Sequence, residues 1–320
     1  MTWLVTGAAG FVGCNLLERM ATRGIAAIAL DTREVPVRVS AAFDASALTA
    51  VQGDVCDVAL LSRLMREHSV TTVIHAAAIT PGIERERTGL YQVVSVNLSG
   101  TAAALQAAVQ TGVQRFILVS SVAVFGPGVP DGEIIEEDRP LAPVALYPIT
   151  KATSEMIARR VAQVSGLPIV IGRLGVVFGR HEAETGVRDL LSPFYHATRR
   201  AMAGGHFTLP RPARRNWQYA TDAADALIAL AQKPSLGHDT YNLGPSHVWT
   251  VQDWCGMLAQ RFGSFTHEIG DVEGASIGLH NPSDGGLLSW QRYEDEMAPG
   301  ARITPQAAFD DYMGWLAGKD

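Results

Sequence analysis

A glycine-rich turn near the start of the chain, Thr6-Gly7-Ala8-Ala9-Gly10-Phe11-Val12-Gly13, restricts its fold more than any other feature. The apolar run Trp3-Leu4-Val5 precedes it, and a helical pattern follows with Leu16, Leu17 and Met20 near one face. Strand, glycine turn and helix in this order are the context of a dinucleotide-binding turn. The glycines there allow close backbone approach to a pyrophosphate, and the helix start offers free N–H groups to the phosphates. The sequence therefore predicts a dinucleotide site formed by Gly7, Ala9, Gly10, Phe11, Val12 and Gly13.

A second apolar run, residues 24–30, ends in Asp31, which lies 18 residues after Gly13 (31 − 13). An acid near this position hydrogen-bonds the 2′-hydroxyl of an adenosine ribose. The same carboxylate repels a 2′-phosphate, so the predicted cofactor is NAD rather than NADP, although Arg33 could soften that repulsion. The alternative is that Asp31 is only a turn residue at the end of a strand.

Strand-like and helix-like segments alternate up to about residue 178. This alternation predicts an α/β fold with a Rossmann-type, doubly wound parallel sheet. We expect an NAD-binding domain at 1–178 and a smaller C-terminal α/β substrate lobe at 179–320, partly interleaved with the first. The predicted strands of the first domain after Asp31 are 51–55, 72–75, 115–119 and 168–171, and its later helices are 57 onward, 88–112 and 147–165.

Composition narrows the classes of partner. Of the 320 residues, 47% are hydrophobic and 18% are charged, and the net charge of −6 argues against nucleic acid or an anionic membrane as the main partner. No apolar run approaches the roughly 18 residues that a membrane span requires, and a secretory signal is not recognisable. Cys14, Cys56 and Cys255 are far apart and match neither a disulfide framework nor a metal site, so a cytoplasmic protein is expected.

Four candidate residues fall at the carboxyl ends of predicted strands, where ligands of doubly wound sheets bind. They are Gly7, Asp31, His75 and Ser121. This convergence makes the dinucleotide interpretation stronger than the glycine turn alone. His75 has no metal-ligating residues at a suitable spacing, so it is expected to pack or to hydrogen-bond, and no metal site is predicted.

Tyr147 and Lys151 are four residues apart in a predicted helix and therefore share one face. A phenol with a pKa of about 10 is a poor base at neutral pH, and lowering that pKa by roughly 3 units requires about 4 kcal/mol. A nearby lysine ammonium supplies part of this stabilisation. Tyr147 is then suited to take a proton from a substrate hydroxyl that Ser121 holds in line. The alternative is that Tyr147 and Lys151 are surface residues at the start of a helix.

Further motifs occur along the same regions. They are Gly53-Asp54-Val55, His75-Ala76-Ala77-Ala78, Val96-Asn97-Leu98-Ser99-Gly100-Thr101, Val119-Ser120-Ser121-Val122-Ala123-Val124-Phe125-Gly126 and Arg173-Leu174-Gly175-Val176-Val177-Phe178-Gly179. Together with the glycine turn and the Tyr147–Lys151 pair, they resemble an extended short-chain dehydrogenase/reductase of the NAD-dependent epimerase/dehydratase superfamily. The spacing of Gly7, Gly10 and Gly13 is the form typical of that family.

The resemblance implies roles for individual residues. Ser121, Tyr147 and Lys151 are expected to be catalytic. Tyr147 and Lys151 are also expected to bind the cofactor, Lys151 at the nicotinamide ribose. Asp54 and Val55 are expected to flank the adenine, and Asn97 to order the cofactor side of the site. It also implies a homodimer that packs the helices bearing Asn97 and Tyr147. The remaining expected cofactor-binding residues are His75, Ala76, Ala77, Ser120 and Arg173.

The chain departs from the family at the substrate side. Val122 and Ala123 stand where the sugar-nucleotide dehydratases carry an acidic pair, which disfavours dehydration. One of the two arginines that usually bind a diphosphate is matched by Arg215, whereas glycines stand near the other. Cations facing a cleft suit a carboxylate or phosphate, although arginines are often only solvated surface. The expected substrate-binding residues are Thr80, Ser121, Arg188 and Arg215.

These observations predict an NAD-dependent oxidoreductase that removes hydride from a secondary hydroxyl of a sugar, sugar acid or related polyhydroxylated molecule, with Tyr147 as the base. The expected partner is a small-molecule substrate, either anionic or neutral. One alternative is a nucleotide-sugar 4-epimerase of the UDP-hexose type, with tightly bound NAD. Another is a regulator that senses NAD(P) without catalysis, against which the intact Ser121, Tyr147 and Lys151 argue.

Overall fold

The computed structural model describes residues 1–244, 247–279, 284–297 and 303–318. Its strands are β1 (Thr2–Thr6), β2 (Ala26–Asp31), β3 (Leu48–Gln52), β4 (Val70–His75), β5 (Arg115–Ser121), β6 (Ile134–Ile135), β7 (Ile169–Leu174), β8 (Val176–Phe178), β9 (His206–Leu209), β10 (Arg214–Arg215), β11 (Trp217–Tyr219), β12 (Thr240–Leu243), β13 (Trp249–Thr250), β14 (Thr266–Ile269) and β15 (Leu287–Leu288).

Helices alternate with the longer strands. They are α1 (Phe11–Ala21), α2 (Val37–Ser40), α3 (Val58–Glu67), α4 (Ile83–Thr88), α5 (Leu90–Val94), α6 (Gly100–Thr111), α7 (Leu146–Ser165), α8 (Pro193–Met202), α9 (Ala220–Gln232), α10 (Val251–Arg261), α11 (Gln291–Met297) and α12 (Pro305–Ala317). A π-helical turn, Ser95–Ser99, joins α5 to α6, and short 3₁₀ turns lie at Val122–Phe125 and Val272–Gly274. None of the helices in the described part of the chain is long and apolar enough to cross a membrane.

Seven parallel strands form the central sheet, in the spatial order β12-β7-β5-β4-β1-β2-β3. The chain order therefore reverses between β1 and β4, which is the switch point where doubly wound sheets bind their ligands. The predicted Rossmann-type, doubly wound fold is confirmed.

The two faces of the sheet follow from the alternation of side chains along each strand. In β1, Trp3 and Val5 are buried on the side covered by α1 and α9. Leu4, between them, is buried on the opposite side, against α3 and α6. Because both faces are covered, the middle residues of the inner strands are mostly apolar.

Two sequence expectations differ from the structure. The third strand is Leu48–Gln52 rather than 51–55, because Asp54 starts a turn in which its Oδ1 accepts a hydrogen bond from the amide of Cys56 at 2.8 Å. The helix predicted at 88–112 is divided between α5 and α6, and the wide turn Ser95–Ser99 lies between them. A π-helical turn of this kind commonly occurs next to functional sites.

The part of the chain after residue 178 contributes to both lobes. Strand β12 pairs with β7 and completes the central sheet, and α9 packs over α1. The smaller lobe has its own core, in which the rings of Phe178 and Phe194 stack with centroids 3.9 Å apart. Strand β15 of this later part pairs with β6 of the earlier part. Strands of the later part thus pair with strands of the earlier part, and the division into two interleaved lobes with a boundary at residue 178 stays a prediction.

Candidate active site

A cavity of about 740 Å³ opens at the carboxyl edge of the central sheet, within the size range of ligand pockets. Its wall contains residues that follow or end β1, β2, β4 and β5. Seventeen of the expected site residues line it, namely Gly7, Gly10, Phe11, Val12, Gly13, Asp31, Asp54, Val55, Ala76, Ala77, Thr80, Ser120, Ser121, Tyr147, Lys151, Arg188 and Arg215.

The glycine turn brings backbone, not side chains, to the cavity wall. Gly7 has φ +70°, and a Cβ there would lie 2.7 Å from Cα and N of Ala77. A Cβ on Gly13 would overlap the carbonyl oxygen of Gly7. Helix α1 starts after Gly10, and no side chain of the described residues caps it. Its free N–H groups and positive end therefore fit the pyrophosphate of a dinucleotide.

Asp31 is held in place at the end of β2. Its Oδ2 accepts a hydrogen bond from the amide of Ala9 at 3.0 Å, and its Oδ1 accepts one from the amide of Arg33 at 3.0 Å. The guanidinium of Arg33 donates to the carbonyl of Ala9 at 2.8 Å and lies 3.6 Å from Asp31 Oδ1. Ala9 thus stands behind the wall and orients Asp31 through its backbone, while Asp31 and Arg33 face the cavity.

His75 also lies behind the wall. It is fully buried, and its ring nitrogens are hydrogen-bonded to the hydroxyls of Thr6 at 2.9 Å and Thr101 at 3.0 Å. Burial, aided by the charge of Lys151, lowers the pKa of His75 to about 3, so the ring is neutral. His75 therefore links β1 to α6 through its two hydrogen bonds and does not line the cavity. The following residues, Ala76 and Ala77, do line it.

Asn97 is 2% exposed in the π-helical turn and fastens the loop after β4. Its side-chain oxygen accepts a hydrogen bond from the amide of Ile79 at 2.8 Å, and its Nδ2 donates to Ile79 O and to the hydroxyl of Thr150, both at 3.0 Å. This places Ile79 and Thr80 on the cavity wall next to α7. Asn97 therefore orders the loop that carries Ile79 and Thr80, but it does not itself line the cavity.

The three expected catalytic residues converge. Ser121 ends β5, Tyr147 is in the first turn of α7, and Lys151 lies one turn further. The Nζ of Lys151 donates to the carbonyl of Val119 at 2.8 Å and is 5.8 Å from the centre of the Tyr147 ring. Burial lowers the pKa of Lys151 to about 8, against the opposing charge of Glu155.

The environment of Tyr147 corrects one expectation. Burial raises the pKa of its phenol above the usual value, and the charge of Arg188 acts most strongly in the opposite direction. Hydrogen bonds with the side chains of Ser121 and Thr80 also lower this pKa. The pKa of Tyr147 is therefore raised in this structure, whereas the sequence pattern predicts a lowered one.

Arg173 lies behind the cavity wall and does not line the cavity. This corrects the expectation that Arg173 contacts the cofactor directly. It is 2% exposed, and its Nε and Nη2 donate to the two oxygens of Glu155 at 2.9 and 2.7 Å. Its guanidinium carbon lies 4.9 Å from the ring centre of Phe125, a residue of the wall. Glu155 also accepts a hydrogen bond from the hydroxyl of Ser120 at 2.6 Å. Glu155 is not among the residues predicted from the sequence, although its four-residue spacing from Lys151 repeats that of Tyr147 and Lys151.

Arg188 and Arg215 both reach the cavity from the smaller lobe. Arg215 lies in β10, its guanidinium carbon is 5.8 Å from the ring centre of Trp217, and burial lowers its pKa. Arg188 is 21% exposed and pairs with the buried Glu182, with 3.1 Å between Nη2 and Oε1. Glu182 was missed by sequence reasoning, because its only signal is a carboxylate in a polar loop.

Known proteins resemble this chain over most of its length. The NAD dependent epimerase/dehydratase family matches residues 3–244. The dTDP-glucose 4,6-dehydratase of Xanthomonas campestris pv. campestris (strain B100) is 29% identical over 277 residues, which cover 81% of this chain and 76% of that protein. The UDP-glucose 4-epimerase of Azospirillum brasilense is 30% identical over 182 residues, or 56% of this chain and 50% of that one.

Solved structures share the fold over the whole chain. The UDP-glucose 4-epimerase of Thermus thermophilus, in complex with NAD, superposes with a TM-score of 0.81 at 24% identity and 100% coverage of both chains. That of Thermotoga maritima, with UDP-glucose, gives 0.81 at 19% identity and 99% coverage of both. The predicted enzyme class and the predicted cofactor, NAD, are confirmed. The chain belongs to the NAD dependent epimerase/dehydratase family.

Proposed function

We propose that this chain oxidises a secondary hydroxyl of a sugar, sugar acid or related polyhydroxylated molecule, with Tyr147 as the base. One observation carries the proposal. Ser121, Tyr147 and Lys151 lie on the wall of the same cavity as the glycine turn. A base, a hydroxyl-binding group and a cation beside a dinucleotide site are the groups that alcohol oxidation requires.

The same wall supports a cofactor site in this proposal. The turn at Gly7, Gly10 and Gly13 holds the pyrophosphate, and the first residues of α1, Phe11 and Val12, donate from their backbone. Asp31 binds the adenosine ribose. Bound NAD supplies a hydride acceptor beside the substrate carbon. The other cofactor contacts in the proposal are Asp54, Val55, Ala76, Ala77, Ser120 and Lys151.

The proton moves to the phenol oxygen of Tyr147. Ser121 and Thr80 line the same cavity as Tyr147, and their hydroxyls direct the substrate hydroxyl toward it. Because burial raises the pKa of Tyr147, the ionised phenol has to be stabilised by the cations around it.

The substrate side carries positive charge. Arg188 and Arg215 line the cavity opposite the sheet edge, and guanidinium groups bind carboxylates and phosphates. Near the place of the second family arginine, Asp284 forms an ion pair with Arg211 at 2.7 Å, and the wall continues through Gly285 and Gly286. We therefore propose an anionic substrate, such as a sugar acid, ahead of a neutral sugar.

Replacing Tyr147 with phenylalanine tests the assignment. Loss of the base is expected to lower kcat by about 10²- to 10⁴-fold. Sugars, sugar acids and sugar nucleotides would be supplied with NAD, and NADH would be followed by its absorbance. Thermal unfolding should show that Tyr147→Phe is folded. A variant that retained wild-type turnover would remove Tyr147 as the base.

Epimerisation of a nucleotide sugar is the second candidate, since the relatives include UDP-glucose 4-epimerases. In that reaction the hydride returns to the substrate, so a UDP-sugar is converted without net formation of NADH. Net NADH from a sugar acid supports the dehydrogenase, whereas interconversion of UDP-sugars with none supports the epimerase. The same Tyr147→Phe change is expected to slow both reactions.

We further propose a homodimer and a cytoplasmic location. Helices α6 and α7 expose apolar side chains at Val109 (40%), Ile149 (42%), Met156 (67%) and Val164 (63%), and a second copy would cover them. Cys14, Cys56 and Cys255 are all free thiols, as expected in a reducing compartment.

A further inference from the structure

Helix α7 carries Tyr147 and Lys151, and polar rather than large apolar contacts hold it against the sheet near these two residues. Its buried residues, all within the described range 1–244, are Thr150, Lys151, Ala152, Ser154, Glu155 and Ala158. Ile157 and Val161 are only partly buried and lie in the second half of the helix. Small side chains do not interdigitate as leucine or isoleucine would, so the polar contacts of α7 decide where it lies along the sheet.

Two hydrogen bonds join α7 to the end of β5. The Nζ of Lys151 donates to the carbonyl of Val119 at 2.8 Å. One turn further along the helix, Glu155 accepts a hydrogen bond from the hydroxyl of Ser120, with 2.6 Å between the two oxygens. This distance is typical of a hydroxyl that donates to an ionised carboxylate, which is a strong hydrogen bond. The two partner residues of β5 are the last two before Ser121.

Glu155 is itself held by the neighbouring strand. Its carboxylate is fully buried, and Arg173 of β7 donates to both of its oxygens, from Nε at 2.9 Å and from Nη2 at 2.7 Å. Ser120 and Arg173 are partners in the register of β5 and β7, so their side chains lie on the same face of the sheet, the face that α7 covers. One carboxylate thus connects α7 to two adjacent strands.

This buried ion pair is better suited to fixing a position than to adding stability. Burying two charges costs desolvation, and apolar residues of similar volume often replace such pairs without loss of stability. The directed hydrogen bonds of the pair, by contrast, allow one arrangement of helix and strands. Arg173 also donates from Nη1 to the carbonyl of Glu137 at 2.8 Å, so its guanidinium has little freedom to follow a displaced carboxylate.

We propose that Glu155 is a positioning residue of the active site: through Ser120 it fixes the end of β5, and with it Ser121, relative to Tyr147. The proposal rests on the proposed function in taking Tyr147 as the base and Ser121 as the group that orients the substrate hydroxyl. Glu155 is not among the described residues that line the cavity, so it acts on the reaction through Ser120 and Ser121. A misplacement of about 1 Å between reacting groups can cost roughly 10²-fold in rate.

Two variants remove this connection in different ways. Ser120→Ala removes the hydrogen bond from β5 and keeps the ion pair of Glu155 with Arg173. Glu155→Met combined with Arg173→Met removes the whole pair, leaves no unpaired buried charge and is therefore expected to remain folded. In crystals of both variants, the distance from Ser121 Oγ to the phenol oxygen of Tyr147 should differ from the wild-type value by about 0.5 Å or more, beyond the tolerance of a catalytic arrangement.

Turnover is the second readout, with a substrate found by NADH formation. At saturating NAD, which offsets any weaker cofactor binding by Ser120→Ala, kcat is expected to fall by about 10- to 100-fold in both variants. The reason is that Ser121 no longer holds the substrate hydroxyl in line with Tyr147. Thermal unfolding is measured alongside. The double variant should keep a stability close to that of the wild type while its kcat stays low.

Arg159→Met is the matched control. Arg159 also contacts Glu155, with 3.2 Å between Nη2 and Oε2, but it is partly exposed and its other contacts are with Thr240 and Asp239 at the start of β12. This change removes a cation from Glu155 without touching β5. It should leave both the distance from Ser121 to Tyr147 and kcat unchanged, and an equal loss of kcat in Arg159→Met would contradict the proposal.

The remaining outcomes are distinct. An unchanged distance or an unchanged kcat in either Ser120→Ala or the double variant overturns the proposal. In particular, a double variant with wild-type stability and wild-type kcat would show that the pair serves stability alone. Turnover by Tyr147→Phe would refute the proposed function, and the measured distances would still decide whether Glu155 positions Ser121.

Discussion

The buried ammonium of Lys151 makes the free energy of unfolding depend on pH. Burial lowers its pKa from 10.5 to about 8. Between these values the unfolded chain binds more protons than the folded protein, so the free energy of unfolding rises with pH across this window. The shift corresponds to roughly 3 kcal/mol.

We expect the rise with pH to disappear in Lys151→Met. Denaturant unfolding of wild type and variant at several pH values between 8 and 10.5 measures the difference. Lys233→Met is a suitable control, because Lys233 donates to Glu296 O away from the cavity and leaves Lys151 intact. Equal slopes in wild type and Lys151→Met would contradict the assignment.

Single residues differ in how far the sequence predicts them. Ser121, Tyr147 and Lys151 are recognisable because strand ends and helix spacing are local properties. The partnership of Glu182 with Arg188 is not, since it depends on the path of an irregular loop and on Ser192 at the start of α8. Arg173 belongs to a recognisable motif at the end of β7, yet the direction of its side chain is set by the carboxylate of Glu155 on α7.

At the scale of elements, the glycine turn can be tested by substitution. Gly13→Ala places a Cβ against the carbonyl of Gly7 and 2.8 Å from the Cα of Ala8, so the turn has to open. We expect NAD affinity to fall by at least about tenfold, or about 1.4 kcal/mol. Isothermal calorimetry measures it.

The matched control is Gly256→Ala in the middle of α10, where a Cβ meets nothing within 4 Å. It should leave NAD affinity unchanged and stabilise the protein by about 0.5–1 kcal/mol, because alanine loses less backbone entropy in a helix. Unaltered NAD binding by Gly13→Ala would show that the turn does not hold the cofactor.

The order of strands and helices is predictable from hydrophobic periodicity, whereas their irregularities are not. The π-helical turn Ser95–Ser99 lies inside a continuous helical pattern. Its position depends on contacts of Asn97 with Ile79 and Thr150, which are distant in sequence. The start of the turn after β3 depends similarly on the side chain of Asp54.

At the scale of the whole molecule, the interleaving of the lobes predicts that residues 1–178 do not fold alone. This fragment lacks α9 and β12, so the surface of α1 that packs against Leu227 and the edge of β7 are both uncovered. We expect the fragment to lack a cooperative thermal transition in circular dichroism, while the full chain unfolds in one. A sharp transition in the fragment would refute this expectation.

The last strand of the central sheet also has a consequence for synthesis of the protein. Strand β12 ends at residue 243 of 320, and it pairs beside β7, which was made some 70 residues earlier (240 − 169 = 71). On the ribosome, the edge of β7 therefore stays unpaired while four short strands, β8 to β11, and the helices α8 and α9 emerge. An open edge of this kind is prone to pairing with neighbouring chains. The nascent chain is thus expected to depend on chaperones until Leu243 has left the exit tunnel.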